Sequence, residues 1–160
     1  MKKDSRFSSE RLVYRGIAAS DAELIVSWRS DPENYRYFLS AKSISLDDHL
    51  AWFKRYLKDD TRYDFMIFDE LGTPIGTCGL SHIGGGSCEI SYMIGDKAAR
   101  GCGYAREAVR RLVDLAFSEL GLGSVTATVL PENEASVAVV KGSGFRESAV
   151  VYRLDRGGDA

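Results

Sequence analysis

The fold turns on residues 89–109, EISYMIGDKAARGCGYAREAV. The first half alternates as a strand does, with Glu89, Ser91 and Met93 on one side of the pleat and Ile90, Tyr92 and Ile94 on the other. The second half sets Gly101 and Gly103 one residue apart and runs directly into helix-forming sequence. Backbone N–H groups at a helix N-terminus are unpaired, and the helix dipole favours an anion there. Glycine lets phosphate oxygens approach the backbone and adopts positive φ without strain. The amides of residues 101–105 can line such a cradle, with Arg100 adding positive charge. Read alone, the paired glycines serve a plain strand-to-helix turn equally well. Two familiar phosphate loops are excluded. No G-x-x-x-x-G-K-[ST] run is present, and Arg106 stands where a dinucleotide fingerprint needs Gly or Ala.

Outward from this stretch the chain reads as one α+β domain over residues 1–160, without repeats or a linker. Upstream, YDFMIF (63–68) and PIGTCGLSHI (74–83) flank a turn and form a hairpin, and SCEISYMIG (87–95) follows as a third strand. RLVYRGI (11–17) is a further strand, and the ten residues before Arg11 read as a frayed terminus. SDAE (20–23) has the form of a capping box for a short helix that Pro32 prevents from continuing. SLDD (45–48) caps a helix to about Lys58, with Leu46, Leu50, Phe53 and Leu57 toward the core and His49, Trp52 and Tyr56 at its edge. Downstream, an amphipathic helix runs to about Leu120. A strand at 124–130, a helix at 133–143 and one or two closing strands in 144–155 complete the order.

Composition narrows the function classes. The formal charge of −2 gives no general attraction to nucleic acid or an anionic membrane. No apolar run approaches the roughly 18 residues of a membrane span, and the start of the chain lacks the apolar segment of a signal peptide, so a cytoplasmic protein is expected. Three cysteines and two distant histidines offer no metal-ligand spacing, so no metal is expected.

The run Arg100–Ala105 fits R/Q-x-x-G-x-G/A, and at this point the chain resembles the GNAT superfamily of N-acetyltransferases. Residues 89–109 are similar to the branch containing the ribosomal-protein N-terminal acetyltransferases, and NEASVAVVKGSGF (133–145) resembles the family's N-x-x-S-…-G-F segment. The resemblance implies a mostly antiparallel mixed sheet with helices on both faces. Two parallel strands, at 88–94 and 124–130, would splay to admit acetyl-CoA as co-substrate. It implies that Met93 and Ile94 pair with the pantetheine arm, that Arg100, Gly101, Cys102, Gly103, Tyr104 and Ala105 hold the pyrophosphate, and that Asn133 and Ser136 touch the cofactor. Asn133 is also a natural helix N-cap in its own right. Glu89 resembles the strand glutamate that serves as general base in some members, and a structural, hydrogen-bonded glutamate is the alternative. Many relatives carry a tyrosine proton donor where this chain has Val140. Tyr92 and Tyr152 are alternatives by strand position.

The acceptor is written more faintly. SWRSDPENYRYFL (27–39) and ISLDDHLAWF (44–53) are similar to W-R-N-x-P … H-x-x-W/F in a narrower group that acetylates UDP-linked 4-amino sugars in pseudaminic acid biosynthesis. The matched residues are Trp28, Arg29, Pro32, His49 and Phe53. Arg29 and His49 would then bind the acceptor, a small-molecule amine such as a UDP-amino sugar. Core packing for Trp28 and a dipole contact for Arg29 are the plainer readings. A protein N-terminus or another small amine is the alternative acceptor, and a non-catalytic acyl-CoA-binding module the alternative class. A homodimer through the last strand is compatible with either.

Overall fold

The computed structural model describes residues 1–38, 40 and 42–149. Among the described residues six strands follow one another across a single sheet in chain order: β1 (Arg6–Ser8), β2 (Val13–Gly16), β3 (Tyr63–Phe68), β4 (Pro74–Gly84), β5 (Ser87–Ile94) and β6 (Ser124–Thr126). Neighbours are antiparallel from β1 to β5, and only β5 and β6 run parallel. The helices are α1 (Ala22–Arg29), α2 (Pro32–Tyr35), α3 (Leu46–Tyr56), α4 (Tyr104–Asp114) and α5 (Glu134–Gly142). This is the mixed α+β sheet expected from the sequence.

Alternation along β3 divides the core in two. Phe65 and Ile67 join Leu12, Tyr14, Ile75, Cys78, Leu80, Cys88 and Ile90 against the α4 residues Ala108, Val109 and Leu112. Met66, on the opposite face, joins Ile17, Ile25 and Tyr56, with Trp28, Trp52 and Phe53 packed around them. The sheet is thus covered by α4 on one side and by α1 and α3 on the other. Strands buried on both faces favour the apolar run that β3 shows.

Several expectations are corrected. The N-terminus is not frayed, because Arg6–Ser8 pairs with β2. Gly16 N–H also donates to Ser5 O at 3.0 Å. Ser20 does not cap the first helix; a 3₁₀ turn at Ala19–Asp21 precedes it, and Asp21 accepts the Ala18 N–H at 2.7 Å. Pro32 stops one helix and starts another, sitting in the first turn of α2 behind the Asp31 cap. Ser45 does cap α3, accepting the Asp48 N–H at 3.1 Å. The buried face of α3 is nevertheless turned by one position: His49 and Tyr56 are inside, while Leu46 and Leu57 are exposed. Aromatic rings reach the sheet better than leucine here, and Trp52 stacks on Tyr56 and lies tilted against His49. The α4 helix ends at Asp114 and widens into a π-type turn over Leu115–Glu119. The last parallel strand covers only Ser124–Thr126, not 124–130. No strand forms in 144–149, and Tyr152 and the remainder of the expected closing strands lie outside the described residues.

Candidate functional site

The short β6 is what opens the site. Three pairs join it to β5: Ser87 with Ser124, Cys88 with Val125 and Glu89 with Thr126. The Thr126 hydroxyl donates to Cys88 O at 3.3 Å, closing the junction. Beyond it the chains part, and residues 90–93 face 127–130 across a cavity of about 360 Å³. Parallel strands that separate leave backbone donors and acceptors without ladder partners, so a bound molecule with amide groups can take the vacated place.

The same cavity reaches the α1 and α3 side of the sheet. It is walled by Arg29, His49, Glu89, Met93, Asn133 and Ser136, six of the residues singled out in the sequence. Ile94 and the loop 100–105 do not line it. Ile94 packs on the α4-side core, and the loop lies past the end of β5, where a 3₁₀ turn (Lys97–Ala99) leads to α4.

Glu89 stands at the crotch of the fork. Thr128 donates its hydroxyl to Oε1 at 2.6 Å, and His82 Nδ1 lies 3.1 Å from Oε2. The side chain is only 29% exposed, yet it lines the cavity. Neither partner is foreshadowed in the sequence. Tyr92 crosses the fork and donates to the Ser136 carbonyl at 3.2 Å. Burial pushes its phenol above the ordinary value, so it is protonated at neutral pH. Asn133 caps α5 by accepting the Ser136 N–H at 3.2 Å. Val140 lies in the same helix and offers no proton.

In the loop, Gly101 and Gly103 have φ of 76° and 81°, the left-handed region that disfavours other residues. A Cβ on Gly101 would meet no protein atom within 4 Å, so the space above it is open to a ligand. Cys102 is an exposed thiol between them. Arg11 ties the loop down by donating to Cys102 O at 3.0 Å, while its Nε pairs with Glu107 of α4 at 2.9 Å. Arg100 departs from its expected part: its guanidinium lies against Glu33 at 3.4 Å and donates to Asn34 Oδ1 at 2.5 Å. It fastens the loop to α2 and does not stand as a free cation over the amides. Tyr104 and Ala105 open α4.

On the other side of the sheet, Arg29 ends α1 and lines the cavity with no carboxylate in ion-pair distance among the described residues. Burial lowers its pKa and the charge of Arg62 adds to this, with Asp64 opposing. Arg62 itself is paired, its Nε 2.6 Å from Asp64 Oδ2. His49 is held below the usual histidine value by burial and by Arg29, so it is a neutral imidazole at neutral pH. Tyr37, Phe38 and Trp52 give this end aromatic walls. Among the described residues no cluster of three or more His, Cys, Asp or Glu side chains has metal-site geometry, and no helix is long and apolar enough to cross a membrane.

The profile of a family described as "Acetyltransferase (GNAT) domain" matches residues 11–146. YjcK of Bacillus subtilis is 34% identical over 155 residues, covering 87% of this chain and 82% of that protein. Acetyltransferase PseH of Campylobacter jejuni is 24% identical over 129 residues, 81% of this chain and 79% of that one. Among solved structures, spermidine N-acetyltransferase from Vibrio cholerae in complex with CoA and spermine aligns with a TM-score of 0.81 at 24% identity, over 86% of this chain and 82% of that one.

Proposed function

The chain belongs to the GNAT acetyltransferase family and is an acetyl-CoA-dependent N-acetyltransferase, and we propose that its acceptor is a small primary amine bearing an anionic group, of the UDP-4-amino-sugar type. The observation that carries this reading is Arg29, a half-buried cation on the cavity wall without a carboxylate partner among the described residues. A partly desolvated guanidinium gains most from a phosphate or carboxylate. A polyamine such as the spermine in the Vibrio complex would instead place its own cations beside Arg29 and Arg62. The neutral His49 suits a sugar hydroxyl, and the aromatic walls suit a flat base. The similarity of Trp28, Arg29, Pro32, His49 and Phe53 to the amino-sugar group supports the same acceptor.

Acetyl-CoA supplies the acetyl group as a thioester. The open space over Gly101 and the vacated edge of β5 fit it: the amides of 101–105 would hold the pyrophosphate, Met93 and Ile94 the pantetheine arm, with Asn133 and Ser136 beside it. The protein's own chemistry is proton handling. Glu89 takes a proton from the acceptor ammonium, and Tyr92 is the protonated phenol that serves the departing sulfur where Val140 cannot.

A thiol-release assay with a UDP-4-amino sugar, spermidine and short peptides tests the acceptor. Sugar turnover is the expected result; turnover of peptide alone selects the protein N-terminus reading, and stabilisation by acetyl-CoA without turnover of any acceptor selects a binding module. Arg29→Ala is expected to raise the acceptor KM about 10- to 100-fold, the worth of one charge-assisted contact, with acetyl-CoA affinity unchanged by calorimetry. Equal acceptor KM in both proteins removes Arg29 from the pocket chemistry. Tyr92→Phe is expected to lower kcat about 10²-fold with acetyl-CoA affinity little altered. A kcat equal to wild type in stopped-flow measurements excludes the phenol as donor.

A further inference from the structure

Strand β4 is irregular where it passes Glu89. The pairing register with β5 shifts between Ser81 and Gly84. Inside that shift His82 has φ of 52°, and among the described residues it is the single non-glycine with positive φ. Left-handed backbone strains an L-residue and persists where the surroundings hold it. Glycine is free of that strain, and the three residues that follow, Ile83 apart, are glycines. A histidine is kept in a place that suits glycine. What the strained position achieves is visible: it brings Nδ1 to 3.1 Å from Glu89 Oε2 while the ring remains 80% exposed. Thr128 holds the other carboxylate oxygen.

We propose that His82 is a positioning and relay residue for Glu89, carrying the proton removed from the acceptor ammonium out of the cavity to bulk water. The proposal rests on Glu89 acting as the base. Acetylation of R–NH₃⁺ by a thioester gives the amide, the thiol and one H⁺, and that single proton must leave the fork. Glu89 accepts it from the ammonium. The neutral imidazole with its proton on Nε2 receives it at Nδ1, restoring the carboxylate. The imidazolium then releases Nε2–H to water, and the exposed ring re-equilibrates its tautomers through solvent. The way back through the cavity is less open, since acceptor and co-substrate fill it. Around the pair, β4 contributes Ser81, whose hydroxyl lies 3.4 Å from His82 Nδ1, β5 contributes Glu89, and the segment after β6 contributes Thr128. The other charged or titratable groups on the cavity are Arg29, His49, Arg62, Asp64, Tyr37 and Tyr92, none of them hydrogen-bonded to His82 among the described residues.

His82→Gly separates relay from scaffold, because glycine relieves the backbone at φ 52°. The expected result is a melting temperature equal to or above wild type, with kcat about tenfold lower in dilute buffer and restored by added imidazole. His82→Asn, which tolerates the same backbone, is expected to lose the same kcat and to show the same rescue. In the protein without substrates, the His82 ring resonances in the NMR spectrum are expected to change when Glu89 is changed to Gln, because the contact of Nδ1 with Oε2 is replaced. A kcat within about twofold of wild type in His82→Gly, or His82 ring resonances indifferent to Glu89→Gln, overturns the relay. Should Glu89→Gln itself retain full activity, the base reading fails and the relay with it, whereas a loss of activity in Glu89→Gln with none in His82→Gly overturns the relay alone.

Discussion

Replacing Glu89 with Gln is expected to lower kcat roughly 10²- to 10³-fold near pH 7, the contribution of one positioned acid–base group. The amide is nearly the same shape, and its carbonyl oxygen can still accept the Thr128 hydroxyl that now reaches Oε1 at 2.6 Å. The three-pair junction of β5 with β6 does not depend on the charge, so the fork remains built while proton acceptance is lost. The deficit narrows as pH rises toward the amine's own pKa, since more acceptor arrives already deprotonated. Steady-state rates from about pH 6 to about pH 10, a range that lies above ordinary carboxylate titration and reaches that of amines, read this directly. A profile parallel to wild type at every pH removes Glu89 from the chemistry and leaves it as a brace between Thr128 and His82.

Gly95→Ala is expected to destabilise the fold by about 1–3 kcal/mol, the usual cost of overpacking, and so to lower Tm by about 3–10 °C. A Cβ at Gly95 would stand 2.2 Å from Trp28 Cδ2 and 2.3 Å from Cγ, so the indole must move. Trp28 packs against Ile25 and its neighbours and directly precedes Arg29. The acceptor KM should therefore rise alongside the loss of Tm. Trimming the indole in the double variant Gly95→Ala, Trp28→Leu should recover part of the loss relative to the sum of the single changes. A calorimetric Tm within about 1 °C of wild type for Gly95→Ala would show that the ring yields without cost and that α1 is not seated on this glycine.

The sheet was legible because alternation and turn chemistry are local signals. YDFMIF, the Gly-containing hairpin and SCEISYMI announce β3, β4 and β5 within a residue or so. The glycine loop and the Asn133 and Ser45 caps were legible for the same reason. What failed was tertiary. The rotation of α3 depends on aromatic rings meeting the sheet, and the length of β6 depends on where a neighbour turns away. Arg100 looked like a free cation because Glu33 and Asn34, which hold it, are more than sixty residues distant in the chain. The site itself was half legible. Arg29, His49, Glu89, Met93, Asn133 and Ser136 carry motif spacing and do share one cavity. His82, Thr128, Arg62 and Asp64 carry none, since a left-handed φ or a cross-strand hydrogen bond leaves no mark on composition.

The strand order has a kinetic consequence. Strands β3, β4 and β5 are joined by short turns, so the centre of the sheet can zip together through neighbouring segments as the chain emerges. Two pairings must close long loops, β2 with β3 around α1, α2 and α3, and β5 with β6 around α4. Thr128 therefore reaches Glu89 only once the loop carrying α4 has closed. The centre of the sheet is made locally, whereas the site takes Arg29 and His49 from one long loop and Thr128 from beyond the other, so it is complete only when both have closed.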